Sequence, residues 1–228
     1  MPKPFITSSI GRKYVMAVTG LILFGFVIVH MLGNLQIFLG QEALNAYAEH
    51  LEDFGALLWI ARGILLTALV AHMISALSLA IENKNARPIP YAVQDTVQAS
   101  FASRTMVMTG LIIFAFVIFH LAHLTFGKIH PEVYSLMDAK GRHDLYSVVI
   151  LGFQDYRVAG TYVLAMFFLC LHLSHGISSL FQSLGLNNVK TQPVFKTAAK
   201  LIALLIFIGN CSIPMASLFG VLKPAGGF

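Results

Sequence analysis

Charged residues are scarce in this chain: 11% of its 228 residues, while 57% are hydrophobic. A soluble domain carries roughly 25% charged residues to solvate its surface. The deficit excludes an ordinary water-soluble fold and leaves no room for a sizeable soluble catalytic domain. Cysteine is nearly absent as well. Cys170 and Cys211 both fall inside apolar stretches, which predicts buried thiols and excludes a disulfide framework. No Cys-x-x-Cys-His occurs, so covalently attached c-type haem is excluded. The net charge of +5 comes from lysines and arginines expected at helix ends and does not indicate nucleic-acid binding.

What the chain has instead is long apolar runs. Five stand out, at about 14–39, 56–81, 105–127, 158–182 and 199–221. A hydrocarbon core of about 30 Å takes roughly 20 helical residues to cross. Backbone groups in lipid must be satisfied within the segment, so each run is expected to be a helix. The fold class predicted is an all-α membrane protein: one membrane domain, 1–228, built as a bundle of five transmembrane helices. The first run is too long for a signal-peptide core and is kept as a span. No Asp or Glu lies within any of the five runs.

Positive charge sets the expected orientation. With the N-terminus inside, Lys3, Arg12, Lys13, Lys84, Arg87, Arg104, Lys190, Lys196 and Lys200 are inner, and Arg62, Lys128, Lys140, Arg142, Arg157 and Lys223 are outer. The excess of inner over outer charge places the N-terminus in the cytoplasm and the C-terminus outside. The inner linker, 82–104, is polar and contains Arg87-Pro88-Ile89-Pro90. The longest outer loop, 128–157, contains Asp144-Leu145-Tyr146-Ser147-Val148-Val149-Ile150, expected as a short helix on the membrane surface. Pro214 is expected to bend the fifth span.

The first and third runs repeat. Residues 19–30 (TGLILFGFVIVH) and 109–120 (TGLIIFAFVIFH) are identical at nine of twelve positions. Hydrophobicity alone accounts for much of that identity but does not supply the shared histidine at the end.

Five of the nine histidines lie within the runs: His30, His72, His120, His172 and His175. His123 sits at the outer end of the third. A single intramembrane histidine ordinarily hydrogen-bonds a neighbouring helix. Histidines in each of the first four spans call for a functional account, because ionisable groups at this depth are costly. Depth pairs them. His30 and His120 follow Arg12 and Arg104 by 18 and 16 residues, which puts both roughly 25 Å from the inner charges. His72 and His172 each precede a polar residue, Glu82 and Gln182, by ten, or roughly 15 Å from the inner boundary. The pattern His-x-Ile-Ser-x-Leu, shared by residues 72–77 and 175–180, favours His175 over His172, so that choice stays open here. Two imidazoles at one level on different helices suit the axial ligation of a haem, through metal–nitrogen bonds of about 2 Å. Two ligands per level are too few for a closed zinc site. Cations near the ends are expected to meet haem propionates: Arg62 and Arg157 outside, Arg12 and Arg104 inside.

These residues resemble a known family. The pieces Val29-His30-Met31-Leu32-Gly33-Asn34, Ala71-His72-Met73, Phe119-His120-Leu121 and Leu171-His172-Leu173-Ser174-His175-Gly176 are similar to the cytochrome b558 subunit of type B succinate dehydrogenases and fumarate reductases. Leu44-Asn45-Ala46-Tyr47-Ala48 and Asp144-Leu145-Tyr146 are similar too, and the likeness covers essentially the whole chain. In that family the fourth-span ligand stands thirteen residues before a glycine, as His172 stands to Gly185, so the resemblance selects His172. It implies two b haems, an outer one on His30 and His120 and an inner one on His72 and His172. It also implies a flavoprotein subunit and an iron–sulfur subunit on the cytoplasmic side of a plasma (inner) membrane. Electrons would pass to or from a quinone, expected to be menaquinone, near Glu52 and Asp53, with Glu49 as a third choice. The chain alone is expected to show no succinate oxidation. Some members carry a glutamate two residues before the fourth-span ligand; here Cys170 stands there, against a proton route at that point. Competing readings are a dihaem cytochrome b serving another membrane dehydrogenase, a purely structural anchor, and a histidine-lined proton-coupled transporter, against which the lack of intramembrane carboxylates weighs.

Overall fold

A computed structural model describes Phe5 and residues 8–86 and 99–226; the Arg87-Pro88-Ile89-Pro90 segment lies outside the described residues. The chain is 81% helical, with no strands among the described residues. Five helical stretches are long and apolar enough to cross a membrane: Ser9–Leu39, Ala56–Asn85, Met106–Thr125, Tyr156–Ser183 and Thr191–Leu218. The chain is a multi-pass membrane protein. Its helices are α1 (Ser9–Asn34), α2 (Gln41–Asp53), α3 (Ala56–Asn85), α4 (Phe101–Arg104), α5 (Met106–His120), α6 (Pro131–Tyr134), α7 (Leu145–Gln154), α8 (Tyr156–Ser183) and α9 (Thr191–Leu218). A 3-10 turn, Leu35–Leu39, extends α1, and a π-helical turn, Leu121–Thr125, extends α5.

The spanning helices reach beyond the apolar runs that announce them. α1 starts at Ser9 because the Ser8 hydroxyl caps it, accepting from the Gly11 N–H at 3.0 Å. This turns Gly11, Arg12 and Lys13 into helical residues. α9 starts at Thr191 and carries Lys196 and Lys200 on its opening turns. Hydropathy marks the part of a helix that lies in hydrocarbon, while the hydrogen-bonded helix continues through polar turns at the interface. α9 runs unbroken through Pro214.

Two kinds of packing hold the bundle. On α8 and α9, Leu173 and Ile177 meet Ala199, Ala203 and Ile206; the two alanines are small enough to let the backbones approach closely where lipid offers no hydrophobic drive. At the end that carries α2, α6 and α7, called the loop end below, Ile37, Leu44, Ile150, Phe153, Tyr162 and Ile213 form a compact apolar core. The lipid-facing surface stays apolar, with Trp59, Ile60, Ile64, Val70 and Ile74 of α3 exposed.

Helix α7 departs from expectation. It does not lie on a surface: Ser147, Val148, Val149, Ile150, Gly152 and Phe153 are all buried. Two loop segments far apart in sequence pin it. The Asp144 side chain caps its start by accepting from the Ser147 N–H at 3.2 Å. Asp144 also accepts from Asn45 Nδ2 at 3.0 Å and Gln41 Nε2 at 2.9 Å. Asn45 in turn accepts from the Tyr146 N–H at 3.0 Å. The Ser147 hydroxyl takes the Ala225 N–H at 3.2 Å, tying the last described residues over the same helix. An apolar ten-residue helix packs this deeply because its cap and both flanks are satisfied by side chains rather than by water.

At the other end, called the linker end, Arg12 of α1 pairs with Glu82 of α3 at 2.8 Å.

Candidate functional site

The two repeats place their histidines alike. His30 closes the apolar part of α1 and His120 ends α5; their ring centres lie 5.7 Å apart with planes at 90°. His72 of α3 and His172 of α8 have ring centres 6.4 Å apart with planes at 63°. Both pairs drawn from depth therefore meet. An ion between two imidazole nitrogens, with bonds of about 2 Å on each side, sets ring centres roughly 6 Å apart. All four rings are half-buried.

Protonation is dictated by the neighbours of the linker-end pair. The Thr19 hydroxyl donates to its own helix, at the Val15 carbonyl 2.7 Å away. Its oxygen is left only as an acceptor, and it faces His72 Nδ1 at 3.3 Å. The Met16 carbonyl, also only an acceptor, faces the same nitrogen at 3.1 Å. His72 must therefore carry its proton on Nδ1, which frees the lone pair on Nε2. The second repeat does the same: the Thr109 hydroxyl donates to the Thr105 carbonyl at 3.0 Å and faces His172 Nδ1 at 3.1 Å. An acceptor on the far nitrogen fixes a ligand ring and raises its basicity.

The glycine that follows each of these threonines lies against the partner helix's histidine ring. A Cβ at Gly20 would stand 3.2 Å from His72 Cε1, and one at Gly110 would stand 3.4 Å from His172 Cε1. The Thr-Gly pair that opens each repeat is thus the seat of the partner helix's histidine, and the histidine that closes the repeat belongs to the other pair. Eleven residues separate seat and histidine in both repeats, so the two levels lie about 16 Å apart along the bundle.

His175 stands outside both pairs. One turn beyond His172 on α8, it has Lys196 of α9 for a charged neighbour, and geometry, unlike the His-x-Ile-Ser-x-Leu pattern, brings His172 to His72. Among the described residues no group of three or more His, Cys, Asp or Glu can hold a metal ion. Each level offers two nitrogens and no more.

The cations sit unequally. Arg12 lies one turn before Met16, about 6 Å along the helix, and its Nε is buried with no hydrogen-bond partner among the described residues. That donor is available to an anionic group beside the linker-end pair even while the guanidinium holds Glu82. Arg104 is exposed. At the loop end, Arg62 covers the Trp59 ring at 4.7 Å and Arg157 covers Tyr156 at 5.6 Å. Glu52 and Asp53 are exposed in the last turn of α2, and Glu49 faces Arg142 at 3.5 Å. Cys170 is half-buried and Cys211 buried; both are free thiols.

Thr19, Thr109, Gly20 and Gly110 were not singled out by the histidine pattern, although the repeat contains them. A threonine and a glycine matched in an otherwise oily segment owe nothing to hydropathy, and that was the available signal. Replacing Thr109 by Val, which keeps the shape and removes the acceptor, is expected to weaken retention of any group ligated by the linker-end pair by about 10–100-fold. Cofactor content after graded washing of the purified protein measures it, with the loop-end pair as internal control.

No family model matches this chain, and neither a curated protein nor a solved structure does so.

Proposed function

We propose that the chain is a dihaem cytochrome b that anchors a membrane-associated oxidoreductase and conducts electrons across the hydrophobic layer. The succinate:quinone oxidoreductase anchor that the sequence resembles is the specific assignment. One observation carries the reading: two histidine pairs, on two levels, each with ring centres about as far apart as an iron between two imidazoles requires. Bound haem would supply the one-electron redox step. The chain's own part is ligation, burial and orientation. His72 and His172 offer Nε2 because Thr19, Met16 and Thr109 hold Nδ1. The orphaned Arg12 Nε suits a propionate at the linker end, whereas a zinc site would call for four donors at one level.

On this reading the linker end faces the cytoplasm, where a flavoprotein and an iron–sulfur subunit would dock, and the loop end faces outward. A quinone, menaquinone in the specific assignment, would exchange electrons near Glu52 and Asp53, which are exposed at the loop end. A proton-relay transporter is disfavoured by the lack of any carboxylate in the five apolar runs.

The test is a haem assay on the complex purified from membranes. Two noncovalent b haems per chain are expected, together with two co-purifying subunits bearing flavin and iron–sulfur clusters and with succinate–quinone activity. Two haems with a different pair of partners would redirect the assignment to another dehydrogenase. A colourless intact preparation would end it.

A further inference from the structure

The two histidine pairs differ in what holds them, and the difference lies in one buried tyrosine. Tyr162 of α8 is 7% exposed within the loop-end core. Its hydroxyl lies 3.1 Å from His120 Nδ1 and 2.9 Å from His123 Nδ1. His123 is 3% exposed. It rides on the π-helical turn Leu121–Thr125, a form often found at functional sites. Gly152 of α7 makes room for its ring, since a Cβ there would stand 2.6 Å from His123 Nε2. Nothing comparable stands behind His72 or His172, whose Nδ1 atoms meet a threonine hydroxyl committed to its own helix and, for His72, a backbone carbonyl.

Resting on the dihaem reading, we propose that Tyr162 is a positioning residue that orients His120 and, backed by His123, sets the reduction potential of the loop-end haem apart from that of the linker-end haem. The direction of the hydrogen bonds follows from ligation. If His120 gives Nε2 to iron, its Nδ1–H donates to the Tyr162 oxygen. Tyr162 has a single hydrogen and donates it to His123 Nδ1, so His123 holds its own proton on Nε2. Each bond polarises the next. The tyrosine oxygen, with its hydrogen committed to His123, becomes a better acceptor, makes His120 a stronger donor to iron and favours the ferric state.

The experiment is a visible redox titration of the purified complex, in which the loop-end haem is the transition absent from a His30→Ala variant. Tyr162→Phe keeps the ring and removes the oxygen. It is expected to retain both haems, to raise the loop-end midpoint and to leave the linker-end midpoint where it was. His123→Leu should move the same midpoint the same way by less. Equal movement of both midpoints, or none, would overturn the proposal. The unaltered complex gives a second reading that does not depend on a variant folding. In infrared difference spectra, a tyrosine C–O band, identified with ring-labelled tyrosine, should shift at the potential where the loop-end haem is reduced. Two normal haems with a silent tyrosine region would sink this inference and leave the dihaem reading standing. Absence of haem from the wild-type complex would sink both.

Discussion

On the proposed dihaem reading, replacing His172 by Ala is expected to remove one of two haems and to halve the reduced-minus-oxidised absorbance, and replacing His72 by Ala to remove the same haem. His30→Ala and His120→Ala each remove the other one. His175→Ala, one turn along from His172, leaves both. These outcomes follow from the pairing of ring centres at 5.7 and 6.4 Å, since a haem held by either pair would lose one of its two protein ligands. The expected effect is large because a noncovalent haem in this site would depend on both bonds, whereas a replaced acceptor such as Thr109 would only tune them. Adding imidazole to a His172→Gly variant should restore the lost band, because the cavity left by the ring sits against Gly110 and the Thr109 oxygen, which remain to orient a free imidazole. The five variants are informative as a set. Retention of both haems in His172→Ala with loss in His175→Ala would overturn the linker-end pair. Loss of both haems from any single variant would mean that the two levels are not independent sites.

The architecture was readable from the sequence for a simple reason: long apolar runs, free of acidic residues, can satisfy their backbones in lipid only as helices. All five spans lie where the runs put them, with ends displaced by the polar turns of α1, α3 and α9. The pairing of His30 with His120 and of His72 with His172 was readable too, because depth is a one-dimensional quantity that a count of residues at 1.5 Å each recovers. Rotation about a helix axis is not recovered in that way. Whether His172 or His175 faces α3 depends on how α8 packs against α5, and the local His-x-Ile-Ser-x-Leu pattern favours His175, whereas it is the His172 ring that lies beside His72. The seats at Thr19-Gly20 and Thr109-Gly110 were hidden by the same limitation, since each serves a histidine 53 or 63 residues away on another helix. The burial of α7 was hidden by a different one. An apolar ten-residue segment suits an interface as well as a core, and what drives it inward is the meeting of Asn45 with Asp144, 99 residues apart.

Asp144→Ala is expected to destabilise the loop end and, on the dihaem reading, to release the haem proposed there first. Asp144 is 4% exposed and accepts from the Ser147 N–H, from Asn45 Nδ2 and from Gln41 Nε2. Losing a helix cap costs about 0.5–2 kcal/mol, and a buried donor left unsatisfied costs about 1–3 kcal/mol. Asn45 keeps a second acceptor in Asp138 at 3.2 Å, so the total comes to about 3 kcal/mol. That loss loosens α7, and α7 supplies the Gly152 seat against which His123 and Tyr162 are packed. Heating should therefore bleach the loop-end haem well before the linker-end haem in this variant. Acid should act through the same group. Burial pushes the Asp144 carboxyl up, yet the bonds from Ser147, Asn45 and Gln41 outweigh it and hold it below the usual carboxylate range. Hydrogen bonds from Arg142 and Lys140 depress Glu42 beside it. A folded value below the unfolded one means that the unfolded chain binds more protons on falling pH. The stabilisation is thus complete above the unfolded value of about 4 for Asp and is lost as pH drops through the folded one. Loop-end bleaching on acid titration of the wild type should begin below about pH 4, and Asp144→Asn, which removes the titrating charge, should be weaker throughout but less dependent on pH there. Equal melting of the two haems in Asp144→Ala would place the anchor of α7 elsewhere.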